Sequence, residues 1–416
     1  MQVIDHHRTG RVGLALAGGG PEGAIYEIGA LRALDDALEG IDFNAVPVTV
    51  GVSAGALVGA CLANGITTAQ LVRSVIHEEP GEQPFRPELF MMPAVGEFVR
   101  RGLAVPRHVL EAVMESARRG ELGRGLVSRL VGRLGRSLPV GLFDNNALRE
   151  YLESLFAAEG RTNDFRKLSN QLFLVSADLD AGEPVLFGSE RLDHIPIALA
   201  VQASTALPGL YPPVEVEGRY YVDGVLLKTL HASVALDNGA DLVLCVNPIV
   251  PVDTDGAVEQ GVMRRGHLLD RGMPTVLSQT FRTLIHSRLD TGLAAYRDRY
   301  EGADVVLFEP RRNDYTMFFR NIFSFSARAE VCEHAYRSTL ETLATRRDEL
   351  EPILARHGLR LRDEVLEQPR YDLWASVGMA RSANGRRDRK AMLPTTVATR
   401  DLRDALDDLD EWLGDA

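Results

Sequence analysis

Residues 48 to 56, Val-Thr-Val-Gly-Val-Ser-Ala-Gly-Ala, constrain this chain more than any other stretch. Thr49 and the valines at 48, 50 and 52 form a β-branched run that favours a strand, and Ala56 to Ala63 reads as a helix closed by Asn64-Gly65. Between them Gly51-Val52-Ser53-Ala54-Gly55 fits G-x-S-x-G, so the chain must pass from strand to helix within a few residues. A serine at such a turn carries its hydroxyl beyond the sheet edge, and the flanking glycines let the backbone bend without a Cβ clash. Ser53 is therefore the candidate nucleophile, with Gly51 and Gly55 as the structural glycines of its motif. The pattern is short and also arises in glycine- and alanine-rich sequence, so its weight depends on what accompanies it.

Upstream, Val12 to Ala17 is an apolar run that reads as a buried strand. It ends in Gly18-Gly19-Gly20-Pro21-Glu22-Gly23, after which Ile25, Ile28, Leu31, Leu34 and Leu38 give Ala24 to Leu38 helical spacing, stopping at Gly40. Glycines opening a helix leave amides free to meet an anion, with the positive end of the helix dipole behind them. A bound phosphate or a transient oxyanion could use that. Gly18-x-Gly20-x-x-Gly23 also fits the fingerprint of an NAD(P)-binding protein, which needs an acid at the end of the second strand. Here that strand ends in Gly51-Val52-Ser53, and the nearest acid, Asp42, precedes it. A purely structural glycine turn is a third reading.

Further along, Leu172 to Ala177 and Pro184 to Phe187 read as paired strands, and Ile195 to Ser204 as a short apolar helix. Val214 to Val216 and Tyr220 to Val222 face each other across Glu217-Gly218, and the second arm delivers Asp223-Gly224. Strand ends are where open α/β sheets carry working residues, although Asp-Gly is also a common turn dipeptide. Ala240 to Val246 and Ala303 to Phe308 add strands, joined by a helical stretch from Val276 to Tyr300. Strands alternating with helices imply a mostly parallel sheet covered on both faces. A serine nucleophile also needs a base and an oxyanion site. The chain offers a carboxylate at Asp223, and histidine is the ordinary base, so a triad with His231, His267 or His286 as its third member is one arrangement.

The ordered set Gly18-Gly19-Gly20-x-x-Gly23, Gly51-x-Ser53-x-Gly55, Ala203-Ser-Thr-Ala-Leu-Pro208 with Pro212-Pro-Val, and Tyr221-Val-Asp-Gly224 resembles the patatin-like phospholipases. The likeness covers roughly residues 12 to 240. It implies an α/β three-layer sandwich with a mostly parallel central sheet, plus an inserted helical cap and C-terminal helices. It also implies a carboxylic ester hydrolase of phospholipase A, lysophospholipase or esterase type, acting on a lipid or acyl-ester substrate through an acyl-enzyme and needing no cofactor. Ser53 would be the nucleophile and Asp223 the base of a dyad without histidine. Gly18, Gly19 and Gly20 would form the oxyanion hole, with Gly23 and Gly224 as motif glycines. Two positions depart from the family pattern. Glu22 stands where a basic residue is common, so either a weaker activity or a substitute basic side chain from the cap is expected, and Val225 takes a place usually held by Gly or Ala, which implies a small change at the strand end.

Composition bounds the rest. The net charge of -12 over 416 residues argues against a nucleic-acid partner. Cys61, Cys245 and Cys332 lie singly in apolar segments, as expected of buried thiols in a reducing compartment. The first residues lack the apolar stretch of a signal peptide and no run of 18 apolar residues occurs, so a cytoplasmic protein is expected, its membrane contact peripheral. Residues 100 to 136 hold nine arginines against three glutamates, interleaved with leucine and valine. Such a basic amphipathic cap suits an anionic membrane surface, and equally a solvated hairpin packed on the core. His6-His7 is an isolated pair, and no metal site is expected. Leu402, Leu406, Leu409 and Leu413 form one stripe on a terminal acidic helix that docks on the body or on a second copy in a homo-oligomer. The expected organisation is a catalytic domain over 12–240 with the cap inserted at about 80–142. The same α/β body continues over 241–314, followed by a helical extension over 315–365 and a linker with the terminal helix over 366–416. A catalytically weak lipid-binding protein is the remaining alternative.

Overall fold

The computed structural model describes residues 11–76, 138–261, 264–270, 272–314, 325–367 and 372–379, with short pieces between 92 and 118. In chain order the strands are β1 (Val12–Leu16), β2 (Leu38–Glu39), β3 (Val48–Val52), β4 (Gln171–Asp178), β5 (Pro184–Phe187), β6 (Val214–Val216), β7 (Arg219–Asp223), β8 (Leu242–Val246), β9 (Asp304–Phe308) and β10 (Arg360–Leu361). The longer helices are α1 (Gly20–Ala37), α2 (Ala54–Ala63), α3 (Thr68–Ile76), α4 (Asn146–Phe156), α5 (Ile197–Ser204), α6 (Ala232–Asp237), α7 (Gly272–Arg299), α8 (Phe325–Thr345) and α9 (Arg347–Arg356).

The main sheet runs β6-β7-β4-β3-β1-β8-β9, with β5 also paired to β4. From β4 to β9 every ladder is parallel. The antiparallel pairs, β5 and β7 on β4 and β6 on β7, gather at the other edge. The expected mostly parallel α/β sheet is thus present, with a separate ribbon of β2 and β10. Strand side chains alternate between two covered faces. Ala15, Val50, Val52, Val175, Val243 and Cys245 pack with Ala232, Ala235, Leu289 and Tyr296, which brings α6 and α7 to one face. On the other face, Gly59 of α2 lies over Leu16, Thr49 and Leu172. Behind α2, α1 meets α8 so closely that a Cβ on Gly29 would stand 2.3 Å from the Cys332 carbonyl. Cys61, Cys245 and Cys332 are free and buried.

Connections leaving β1 go to β3 on one side and, after the excursion through β7, return to β8 on the other. The crevice beyond the carboxyl ends of these central strands is the topological switch point, where open α/β sheets hold ligands. β3 lies in the middle of the sheet, so its terminal Ser53 is central although the strand comes early in the chain.

Several expected boundaries shift for physical reasons. α1 begins at Gly20, earlier than Ala24, because Pro21 sits in its first turn, where a missing N–H costs nothing. The helical pattern expected from Tyr315 to Glu364 breaks at Arg346 between α8 and α9 and ends in β10. Asn145 occupies the N-cap place of α4 without a capping bond, since its side chain is engaged with Gln202. The neighbouring Asp144 accepts from the Asn146 amide at 2.8 Å instead. Most of the basic stretch 100–136 and all of 382–413 lie outside the described residues. Among the described residues no helix is long and apolar enough to cross a membrane.

Candidate active site

Ser53 follows β3 directly and caps α2 with φ 54 and ψ -118, a left-handed backbone that β-carbon-bearing residues seldom adopt. The flanking glycines are required by close approach. A Cβ on Gly55 would stand 2.5 Å from the Leu16 main chain, and one on Gly51 2.4 Å from the Gly55 carbonyl. G-x-S-x-G is thus the packing solution of an elbow wedged against β1, and the Gly55 amide seals it by donating to the Ala17 carbonyl at 2.9 Å.

The strained turn is held by a residue that the sequence reading quoted without giving it a role. The buried Ser204 hydroxyl accepts from the Ser53 amide at 2.9 Å and donates to the Val175 carbonyl at 2.6 Å. Ser204 ends α5, and only the tertiary fold reveals its partner.

Asp223 closes β7 with 2% exposure, and the Ser53 hydroxyl lies close enough to its carboxyl to favour the charged form. Its Oδ1 also accepts from the Val225 amide at 2.9 Å. Burial raises the carboxyl from 3.8 to about 7 against the Ser53 hydroxyl and the Val225 amide, which favour the charged form. Tyr211 is close enough that the Asp223 charge, added to burial, raises its phenol. The segment carrying Tyr211 is laced to residues 142 and 143, whose amides donate to the Gly209 and Leu210 carbonyls.

Gly18 and Gly19 bridge β1 to α1, and Gly20 opens the helix with φ +61. A Cβ on Gly18 would meet Val225 at 2.8 Å and Ser53 at 3.2 Å, so the glycine loop touches both motifs. Gly19 and Gly23 pack against Pro248, and Gly224 lies under the Val175 carbonyl. Among the described residues the amides of Gly18, Gly19 and Gly20 donate to no backbone carbonyl. The Ser53 and Gly55 amides, by contrast, are already used.

The two departures take definite forms. Val225 fills the space over Gly18, and the strand end passes into a short 3-10 turn at Gly224–Leu226. Beside Glu22 stands Arg282, 3.6 Å away on α7, where a cap residue was expected. Among the described side chains no histidine acts on Asp223. His231 is buried with its pKa lowered to about 4, chiefly by desolvation, and its bonds run to the Lys228 and Gly224 backbone. His286 lies within α7 and is not among the hydrogen-bond partners of Asp223. The His267 side chain is outside the described residues. The acid that a dinucleotide site needs is absent from the end of β3, where Ser53 stands.

The sheet is mostly parallel, and it sets Ser53 on a strained strand-to-helix turn and Asp223 on the end of a nearby strand. The family model for patatin-like phospholipases matches residues 14–236, more than half of the chain, and the chain belongs to that family of lipid hydrolases. Among solved structures it is similar to VipD from Legionella pneumophila, at 15% identity and a TM-score of 0.36, covering 81% of this chain and 67% of that one. It is similar as well to the type III effector protein ExoU, at 17% identity and a TM-score of 0.28, covering 83% and 64%. For human GIVD cytosolic phospholipase A2 in complex with methyl gamma-linolenyl fluorophosphonate the values are 14% and 0.26, covering 67% and 46%. The chain thus spans less than half of that human enzyme.

Proposed function

We propose that the protein is a serine acyl hydrolase in which Ser53 is the nucleophile, Asp223 the general base, and the amides of Gly18 to Gly20 the oxyanion hole. The observation that carries the reading is the contact between the Ser53 hydroxyl and a buried Asp223 carboxyl raised to about 7. An ordinary carboxylate is too weak a base near neutral pH, and burial brings this one to the strength the step requires. Asp223 takes the Ser53 proton as the oxygen attacks the ester carbonyl, and the carbonyl π pair moves onto oxygen above the free amides. Collapse expels the alcohol, which leaves with the proton from Asp223, and Ser53 remains acylated. Water then attacks, giving its proton to Asp223. The second collapse breaks the serine ester, Ser53 recovers its proton, and the fatty acid is released.

The lipid class of the substrate follows from the family, and an ester bond within it is part of the proposal. Peripheral contact with an anionic membrane belongs to the same reading. It is supported by the basic stretch 100–136 and by Met273, Leu277, Phe281 and Leu284, exposed along α7. The test is covalent labelling by a fluorophosphonate together with hydrolysis of a medium-chain p-nitrophenyl ester. Both should vanish in Ser53→Ala, and an unchanged hydrolysis rate in that variant would overturn the assignment.

A further inference from the structure

The oxyanion proposed above forms at the start of α1, and Glu22 sits in that same first turn. A helix N-terminus attracts negative charge, so a carboxylate there competes with an oxyanion brought to it. The Glu22 side chain is folded inward at 19% exposure, and its Oε1 is buried without a hydrogen-bond partner. Burial lifts this carboxyl to about 7, while Arg282 draws it back. The guanidinium, only 20% exposed, lies 3.6 Å from Oε2. Two opposite charges therefore share a partly dry site, and removing one leaves the other uncompensated.

The placement of Arg282 is fixed by the helix that bears it. Gln279 holds both main-chain groups of Val252, at 3.2 and 2.8 Å, and Arg282 Nη1 reaches the Val250 carbonyl at 3.4 Å. Two turns on from Arg282, Arg288 donates to the Leu226 carbonyl at 2.8 Å. α7 is thereby tied to the loop after β8, whose Pro248 packs on Gly19, and to the turn after Asp223.

We propose that Arg282 is a positioning residue for acyl transfer: held against Glu22 by α7, it cancels the carboxylate that otherwise opposes the oxyanion forming over Gly18 to Gly20. This rests on the acyl-hydrolase reading. Arg282 acts through Glu22 and not on the substrate, so its loss lowers kcat, leaves KM near the parent value, and is reversed by neutralising Glu22.

The test uses the full chain, a medium-chain p-nitrophenyl ester and pH 9, about two units above the parent value of Glu22, since removing Arg282 raises that carboxyl further. Arg282→Ala should lower kcat roughly 10- to 100-fold, as one opposing charge some ångströms away does at intermediate dielectric. Arg282→Lys should retain most of the rate, and Arg282→Ala with Glu22→Gln should return to within about threefold of the parent, the near-cancellation expected of directly coupled residues. A single variant at the parent kcat, or a double variant as slow as the single one, overturns the assignment. Should Arg282→Ala not fold, Arg282→Met keeps the apolar stem and carries the same comparison. Ser53→Ala in the same assay separates the two readings. A parent without Ser53-dependent turnover refutes the acyl hydrolase and this role with it, whereas Ser53-dependent turnover indifferent to Arg282 refutes only the role of Arg282.

Discussion

Replacing Asp223 by asparagine should strengthen the fold while abolishing turnover. Asp223 is 2% exposed, and burial is the largest cause of its rise from 3.8 to about 7. A carboxyl whose folded value exceeds its unfolded one binds its proton more tightly in the native state. Its stabilising contribution is complete below about 3.8 and is lost as the pH climbs through about 7. A rise of about three units, at about 1.4 kcal/mol each, makes the ionised form cost about 4 kcal/mol at pH 8. Asparagine has no charge to desolvate, and its carbonyl can still accept from the Val225 amide, now at 2.9 Å. Urea unfolding of both proteins between pH 4 and pH 8 measures the effect. The variant should gain little at pH 4 and a few kcal/mol by pH 8, while ester turnover falls roughly 10²- to 10⁴-fold. Glu22 and Glu27, both raised by burial, titrate in either protein and cancel from the difference. A stability difference that does not change with pH would refute the claim that Asp223 is ionised at a desolvation cost.

Two further outcomes follow from the same geometry. With the base at about 7, kcat/KM should rise tenfold per pH unit below neutrality and level off above it, and a flat profile from pH 5 to pH 9 would exclude Asp223 as the base. Ser204→Ala strands the buried Ser53 amide at a cost of about 1–3 kcal/mol, so it should lower the melting temperature by a few degrees and slow fluorophosphonate labelling about tenfold. Labelling at the parent rate would mean that the elbow holds without it.

What could be read from the sequence was local. The G-x-S-x-G elbow, the glycine loop and the Asp223 strand end each follow from neighbours in the chain, because Cβ clashes and turn propensities act over a few residues. The site's remaining parts come from distant pairs. Ser204 reaches Ser53 across 151 positions, and a serine ending an apolar helix gives no sign of its acceptor or donor. Arg282 is one arginine among many until α7 is docked beside α1. Asn145 stands just before α4, where Asp, Asn and Ser commonly cap, yet Gln202, which holds its side chain, is 57 residues away. The sheet order was hidden for the same reason: nothing near β8 says that it pairs with β1.

The groups on which the proposed reaction rests are also the ones the fold holds unwillingly. Ser53 keeps a backbone conformation that costs about 1–3 kcal/mol, and above about pH 7 Asp223 and Glu22 are each ionised against their burial. Together these costs approach the whole net stability of an ordinary domain, about 5–15 kcal/mol. They are tolerable because they fall beside the fully buried centre of the sheet. β1, β3 and β8 are buried along their full length, so the elbow cannot relax without pulling Gly55 away from Leu16 and opening the centre of the sheet. A substitution that eases the site should therefore stabilise the protein and slow it, and one that loosens β1 or β3 should do harm on both counts.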